Sequence, residues 1–446
     1  MQKVKFIDLF AGLGGIRLGF ENVFKNLGFQ TECVMTSEIK PYAIKTLSKN
    51  FSHSYFVGNI FEVENEQIPN FDFLLAGFPC QPFSSGGKRH GFLDTRGTLF
   101  FEIERILRDK NPYGFILENV EGLVKHDMEN KTDKIGRTLK TILYKLEVEL
   151  GYKVSWKILD SIDFDLPQSR KRIFIVGTKN EKANLSVSPM EIKPLKTILE
   201  KGLETLKSDF TKKLLSHFDM ENLYGKSIKD KRGGENNIHS WDIELKGEVS
   251  EEQAILLNKL FKERRKKHWA EKIGIDWMDG MPLTLKQIST FHNNDNLKII
   301  LDDLVEKGYL RYEHPKKLVR EKNENGERKY RLYDETKPKG YNIVTGKLSF
   351  EINKILDPND IAPTLVATDV SRLAVPDNDG LRRLTIREGL RLFGYPEWYE
   401  IPVKNSEAFD LLGNTVAIPV VEHVAWKIAH VYKLNYQSSV LPVEAV

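Results

Sequence analysis

Through roughly the first 180 residues, short apolar runs alternate with stretches of helical spacing, and few architectures accept that order. "KVKFIDLF" is a compact strand, and glycines follow before "IRLGFENVFKNLG" resumes as a helix closed by Gly28. "FQTECVMTSEI" and "KPYAIKTLSKNF" repeat the pair. "FDFLLAGFP" and "YGFILENV" are nearly all apolar, as strands covered on both faces are, with the helix "GTLFFEIERILRDKNP" between them. "YKVSWKILDSIDFDLPQSRKRIFIVGT" supplies two strands suited to the far edge of a sheet. The pattern predicts an α/β fold: a mainly parallel sheet with helices on both faces.

The character changes near Lys179, where Lys, Glu and Asn become dense and strand signals thin out. With 446 residues, two domains are expected. The reading is a first part over 1–184, a separate unit over 185–380, a connecting region over 381–412, and a final helix over 413–446 expected to return to the first domain. Within the middle unit, 282–333 reads as helix, turn, helix and hairpin about Asn325–Gly326, the order of a winged-helix module or of an irregular core. The run "FKERRKKHWAEK" holds five basic residues within six positions, as a solvated helix face or a phosphate-contacting patch would.

Composition narrows the remainder. No apolar run approaches the ~20 residues needed to span a bilayer. Acidic Asp8 and the early glycines fit no signal peptide, so residence in the cytoplasm is expected. Two cysteines make no disulfide framework, and no Cys/His spacing suggests a metal.

The chemistry-bearing positions lie after strands. In "DLFAGLGGIRLGF" a strand runs into a glycine turn that opens a helix, so backbone amides can approach a ligand closely. Arg17 occupies the last glycine position of GxGxxG, which weakens a nicotinamide reading. Glu38 ends the next strand, placed to accept ribose hydroxyls. Cys80 lies in "GFPCQPFSSG", after a strand and before a Gly/Ser-rich loop, with Lys88, Arg89 and Arg96 following. A buried structural cysteine is the bland reading, and a nucleophile beneath a basic lid is the sharper one. Glu118 ends the "ILENV" strand, where partial desolvation would raise its pKa and make it an acid near neutral pH. Arg170 and Arg172 alternate in "QSRKR", which would put both guanidinium groups on one face of a strand. "NPYG", at 111–114, lacks the second proline of an amino-methyltransferase motif and reads as a turn.

Taken in order, "DLFAGLGGIRLGF", "GFPCQPFS", "ENV", "QSRKR", "RRLTIREGLRLFGYP" and "GNTVAIP" resemble the motifs of the bacterial DNA (cytosine-5)-methyltransferase family. The resemblance covers nearly all of the first 180 residues and the last 65. It implies a Rossmann-like, S-adenosylmethionine-dependent methyltransferase domain with an inserted target-recognition domain in the unmatched middle. It also implies a methyl transfer to carbon 5 of a cytosine flipped out of duplex DNA. By the same resemblance, Phe10, Gly12, Gly14, Gly15, Glu38, Ile39, Asn59, Ile60, Pro79, Leu99, Asn414 and Val416 are cofactor contacts. Cys80 is the nucleophile at carbon 6, and Glu118 protonates ring nitrogen 3 and holds the exocyclic amine. Arg172 contacts the base's carbonyl oxygen, and Arg170 supports the nucleophile and a phosphate. Gln81, Ser84, Lys88 and Arg96 belong to the loop that closes on DNA. No metal is implied. A cognate restriction endonuclease is the implied functional partner, and a monomer on DNA the implied state. One departure stands out: the family's "GDI" is "GNI" here, with Asn59 as the adenine contact. An RNA substrate and a DNA-binding regulator with a vestigial fold remain the rival readings, the latter disfavoured by intact Cys80, Glu118, Arg170 and Arg172.

Overall fold

A computed structural model describes residues 3–78, 99–130, 132–230, 236–323, 326–344, 350–367 and 369–440. It opens with β1 (Lys3–Leu9), α1 (Gly15–Asn26), β2 (Gln30–Ser37), α2 (Pro41–Asn50), β3 (Phe56–Val57) and β4 (Phe73–Gly77). There follow α3 (Leu99–Lys110), β5 (Gly114–Val120), α4 (Arg137–Tyr144), β6 (Lys153–Asp160) and β7 (Lys171–Thr178). The seven strands form one sheet in the order β3-β2-β1-β4-β5-β7-β6. The first five run parallel, and β7 is antiparallel to both β5 and β6, which places the expected strand pair at the far edge. Strand alternation divides the apolar side chains between two cores. Val4, Phe6, Phe73 and Leu75 pack with Phe20 and Phe24 of α1. Ile7, Leu9, Leu74 and Ala76 pack with Phe100, Ile103 and Leu107 of α3 and with Leu139 of α4. Parallel strands buried on both sides explain why the sequence runs there are almost continuously apolar.

The chain divides into two compact units, one of residues 1–200, 357–371 and 384–446, the other of 201–356 and 372–383. The boundaries differ from those expected at 184 and 380. Residues 185–200 stay with the first unit because Leu195 and Lys196 donate their N–H groups to Asp360 and Pro358 (both 2.8 Å), and Glu200 N–H to the Glu388 carboxylate (2.8 Å). Residues 357–371 stay there too, through Ala362 N–H to Pro167 (2.8 Å) and Ser169 N–H to Ala362 (3.0 Å).

The second unit contains α5 (Asp209–His217), β8 (Ser227–Ile228), β9 (Asn237–Ile238), α6 (Glu251–Glu263), α7 (Lys267–Ile273), α8 (Leu285–Ile288) and α9 (Leu297–Glu306). It continues through β10 (Leu310–Glu313), β11 (Lys316–Asn323), β12 (Gly326–Tyr333), β13 (Gly340–Ile343), β14 (Lys354–Ile355), β15 (Leu373–Asp377) and β16 (Gly380–Arg383). A small sheet is ordered β16-β15-β14-β8-β9. The expected hairpin is present as the β11–β12 ribbon, with Asn325 outside the described residues. Two further strands bracket it, since β10 precedes the ribbon and pairs with β13 beyond it. The basic run is not one helix face. It breaks between α6 and α7, Arg264 is buried, and Arg265 and Lys266 are paired with Asp279 and Glu263. Trp269 within the run is core.

The first unit is completed by α10 (Ile386–Leu392), α11 (Asn405–Asn414) and α12 (Ile418–Val440). Val420, Val421, Val424 and Ile428 of α12 join the core of α1. Among the described residues, no helix is long and apolar enough to cross a membrane.

Candidate active site

The turn after β1 is built from left-handed backbone: φ is 57° at Phe10, 56° at Gly12 and 66° at Gly14, which caps α1. Ala11 N–H donates to Ser37 (3.1 Å), tying the turn to the end of β2. Glu38, 8% exposed, then fixes it: one carboxylate oxygen accepts Gly12 N–H (2.8 Å), and the other accepts those of Ile39 (2.8 Å) and Lys40 (2.9 Å). Three amides thus occupy most of the roughly four lone-pair sites of a carboxylate, so Glu38 shapes the turn. At Gly15 an added Cβ would lie 2.7 Å from both Tyr395 Oη and Val416 Cγ2, so only glycine admits the C-terminal motif so close. Space above Gly12 is open, with no neighbour nearer than Phe10 O at 4.0 Å. Ile39 (68% exposed) and Phe61 (47% exposed) hold large apolar side chains in solvent near the ends of β2 and β3. An open glycine turn, a carboxylate and flanking apolar groups fit a nucleoside ligand such as S-adenosylmethionine. Ile60 is buried, and Asn59 caps the turn before Phe61, its oxygen accepting Phe61 N–H (3.2 Å) while its amide donates to Glu62 (3.0 Å).

The second cluster lies where β4, β5 and β7 meet. Glu118 is buried on β5, and Arg172 Nε sits 3.1 Å from its Oε1. Burial pushes the Glu118 carboxyl above its ordinary range, against the pull of Arg172 and then Arg170. Next to it, Asn119 donates to Phe78 O (2.8 Å) and anchors the end of β4. Pro79, Cys80, Gln81, Ser84, Lys88, Arg89 and Arg96 lie outside the described residues. The other cysteine, Cys33, is buried near Thr36, and desolvation holds its thiol up at about 12.

Arg170 differs from the expectation of two guanidinium groups on one strand face. It precedes β7 by one residue, is 3% exposed, and donates to the carbonyls of Leu365 (2.9 Å), Gly413 (3.2 Å) and Thr415 (2.7 Å). Its cation therefore ties "QSRKR" to the "GNT" turn from within the protein. Leu99 opens α3 against the core, and Val416 packs on Gly15. Asn414 ends α11, its amide donating to Asp410 O (2.8 Å).

Two groups escaped sequence reasoning. Asp410 accepts from Lys40 (2.7 Å) and Tyr42 (2.8 Å), so α11 is pinned beside the Glu38 turn. Nothing local in sequence announces a pair 370 residues apart. Asp8 is the last residue but one of β1, its Oδ2 without a partner among the described residues, and burial raises its carboxyl to about 7 despite Arg17. Its apolar neighbours on the strand were the available signal.

Comparison with known proteins decides what this geometry belongs to. Residues 4–430 match the model of the C-5 cytosine-specific DNA methylase family. The chain belongs to that family. As a C-5 cytosine-specific DNA methylase it is a DNA (cytosine-5)-methyltransferase, with the α/β sheet of the fold. It is 58% identical over 430 residues to the Type II methyltransferase M.NlaIV of Neisseria lactamica, covering 96% of this chain and 100% of that protein. To the Type II methyltransferase M.BanI of Aneurinibacillus aneurinilyticus it is 41% identical over 449 residues, covering 95% of each. Among solved structures, the methylase resembles the S. pombe Dnmt2 methyltransferase at TM-score 0.52 and 15% identity, over 96% of this chain and 99% of that one, a likeness of fold.

Proposed function

We propose that this methylase modifies one short site in duplex DNA as the methyltransferase of a Type II restriction-modification system, with a cognate endonuclease as its functional partner. The names of relatives at 58% and 41% identity over nearly the whole chain support this context. The observation that carries the chemistry is the buried Glu118 held by Arg172, with carboxyl pKa raised, two strands from the glycine turn.

The reaction reads as follows from this chain's residues. The target cytosine is extruded from the stack, since its reacting atoms are unreachable inside a duplex. The Cys80 thiolate adds to carbon 6, forming the S–C6 bond while Glu118 delivers its proton to ring nitrogen 3. Electron density so displaced makes carbon 5 nucleophilic. S-adenosylmethionine, when bound, supplies a methyl group on a positively charged sulfur that departs as a neutral thioether. Loss of the carbon 5 proton to water, breakage of the S–C6 bond and return of the nitrogen 3 proton to the Glu118 carboxylate then restore the thiolate, the acid and the aromatic ring. Arg172 holds Glu118 in place and faces the base's carbonyl oxygen. Phe10, Gly12, Gly14, Gly15, Glu38, Ile39, Asn59, Ile60, Pro79, Leu99, Asn414 and Val416 would hold the donor, while Gln81, Ser84, Lys88 and Arg96 close on DNA. Arg170 ties the segment at Leu365 to the turn at Gly413 and Thr415.

A Cys80→Ala variant tests this reading. Methyl transfer should vanish while DNA and cofactor affinities stay within a few-fold. Retained transfer would exclude a thiolate mechanism.

A further inference from the structure

We infer that the second unit meets duplex DNA through the β11–β12 ribbon and not through α9, the helix its arrangement would ordinarily offer. The inference rests on the methyltransferase reading for its substrate. Leu283 bridges Tyr341 of β13, and β13 also pairs with β10, so three short strands assemble as Leu283, β13, β10. Leu256, Leu260, Ile288, Leu297, Leu301 and Leu304, from α6, α8 and α9, share one core with Leu283, Leu310 and Tyr341. Helices on a three-strand patch, with a long hairpin between the last two strands, make a winged-helix arrangement. There α9 holds the position from which a recognition helix would enter the major groove.

The charge on α9 argues against that entry. Its outer side carries exposed Lys298, Ile299, Asp302 and Glu306 with half-buried Asp303. Lys298 is paired with Asp302 (2.6 Å) and Lys307 with Asp303 (2.7 Å). Asp302 also accepts from Tyr341 Oη (2.7 Å). Both nearby cations are thus neutralised by neighbours and Glu306 is left over. Duplex DNA carries a negative charge for every ~1.7 Å of axis and would repel such a face.

The ribbon has the opposite character. Cross-strand partners share a face, and the register pairs Lys316 with Tyr333, Leu318 with Arg331 and Arg320 with Lys329. One face therefore carries Lys316, Arg320, Lys329 and Arg331, with Leu318 and Tyr333 between them. The other face is mixed: Lys317 and Arg328 alternate with Val319, Glu321, Tyr330 and Leu332, and Glu321 is bonded to Tyr330. At its root the basic face is fixed in aim, because Arg331 donates to Trp277 O (2.8 Å). It continues into a cleft lined by Arg311, His314 and Lys316, where Asp279 is paired with Arg265 and Glu313 accepts from Asn342 and Tyr333. A two-stranded ribbon fits the major groove in width. Eight residues per strand give it a reach of about 27 Å.

The test uses the full-length protein and a duplex carrying the site it methylates, with affinity measured between about 50 and 200 mM salt. In an Arg320→Gln/Lys329→Gln variant the slope of log K against log salt should flatten by about 2, since each phosphate contact contributes about 0.9. Duplex affinity should fall about tenfold or more, with cofactor affinity unchanged. A Lys298→Gln/Glu306→Gln variant on α9 should leave the slope within about 0.5 of the wild type's. If the double ribbon variant is unstable, Arg320→Gln alone should lower the slope by about 1, and Arg320→Lys should restore it. An α9 variant that flattens the slope while the ribbon variants do not would overturn the inference, as would single-stranded RNA competing as well as duplex DNA. Wild-type protein that methylates no DNA would instead sink the methyltransferase reading, a result separable from a ribbon variant that behaves as wild type.

Discussion

Arginine serves opposite purposes in the two units. In the first, Arg170 is 3% exposed and donates to three main-chain carbonyls, while Arg172 lies against buried Glu118. In the second, Arg264 is likewise internal, bonded to Asn342 (2.7 Å), but Arg320 and Arg328 stand exposed on a ribbon with no third strand among the described residues. On the proposed function, the difference follows from the partner each unit meets. A reaction on one base with one donor rewards charges fixed by burial and hydrogen bonds, because a mobile cation loses most of its effect to solvent. Binding a long polyanion rewards cations on a projecting element that can follow phosphates.

Breaking the first unit's fixed charges should therefore cost most. Glu118→Gln removes the proton donor but keeps the shape, and kcat should fall by roughly 10²–10⁴ with duplex affinity nearly unchanged. Single-turnover kinetics would show it, and a loss confined to DNA affinity would contradict the assignment. Arg170→Met leaves three buried carbonyls unpartnered and should lower stability by about 1–3 kcal/mol for each carbonyl that stays unsatisfied, read as a shifted denaturant midpoint. Were Arg170 chiefly a substrate contact, stability would hold and only kinetics would change.

Asp8 gives a subtler contrast. Its folded pKa of about 7 lies above the ordinary value of 3.8, so folding favours the protonated form. The associated stability is complete below the unfolded value and is lost as pH rises toward about 7. Asp8→Asn should therefore flatten the pH dependence between those values and make the variant the more stable protein at pH 8. A wild type that gains stability over that window relative to the variant would refute the burial account. Smallest of all, Arg320→Gln on the ribbon should change stability by less than about 0.5 kcal/mol, since an exposed side chain away from caps and cores contributes little.

How much of this was readable beforehand also divides by unit. In the first, continuous apolar runs marked β4 and β5, and the glycine turn, Glu38, Glu118 and Arg172 all sat at strand ends where ligands of such sheets gather. The tasks of Arg170 and Asp410 were not readable, because carbonyl acceptors 195 to 245 residues away and a lysine 370 residues away leave no local trace. The same holds for 185–200 and 357–371, attached to the first unit by main-chain hydrogen bonds that any sequence can make. In the second unit the ribbon was legible from the Asn325–Gly326 turn between two strand-like runs, but β10 and β13 were too short to register. Arg264 was hidden in a run that looked like surface, since nothing in "KERRKK" says which cation turns inward. Cys80 rests on its motif alone.

The central claim is that the first unit performs the chemistry and the second chooses the site. Residues 201–356 and 372–383 can be exchanged for those of a relative with a different site, and 5-methylcytosine mapped across the genome of a host that lacks cytosine methylation. The account predicts 5-methylcytosine at the relative's sequence and none at the original one. Methylation that stays at the original site would contradict it.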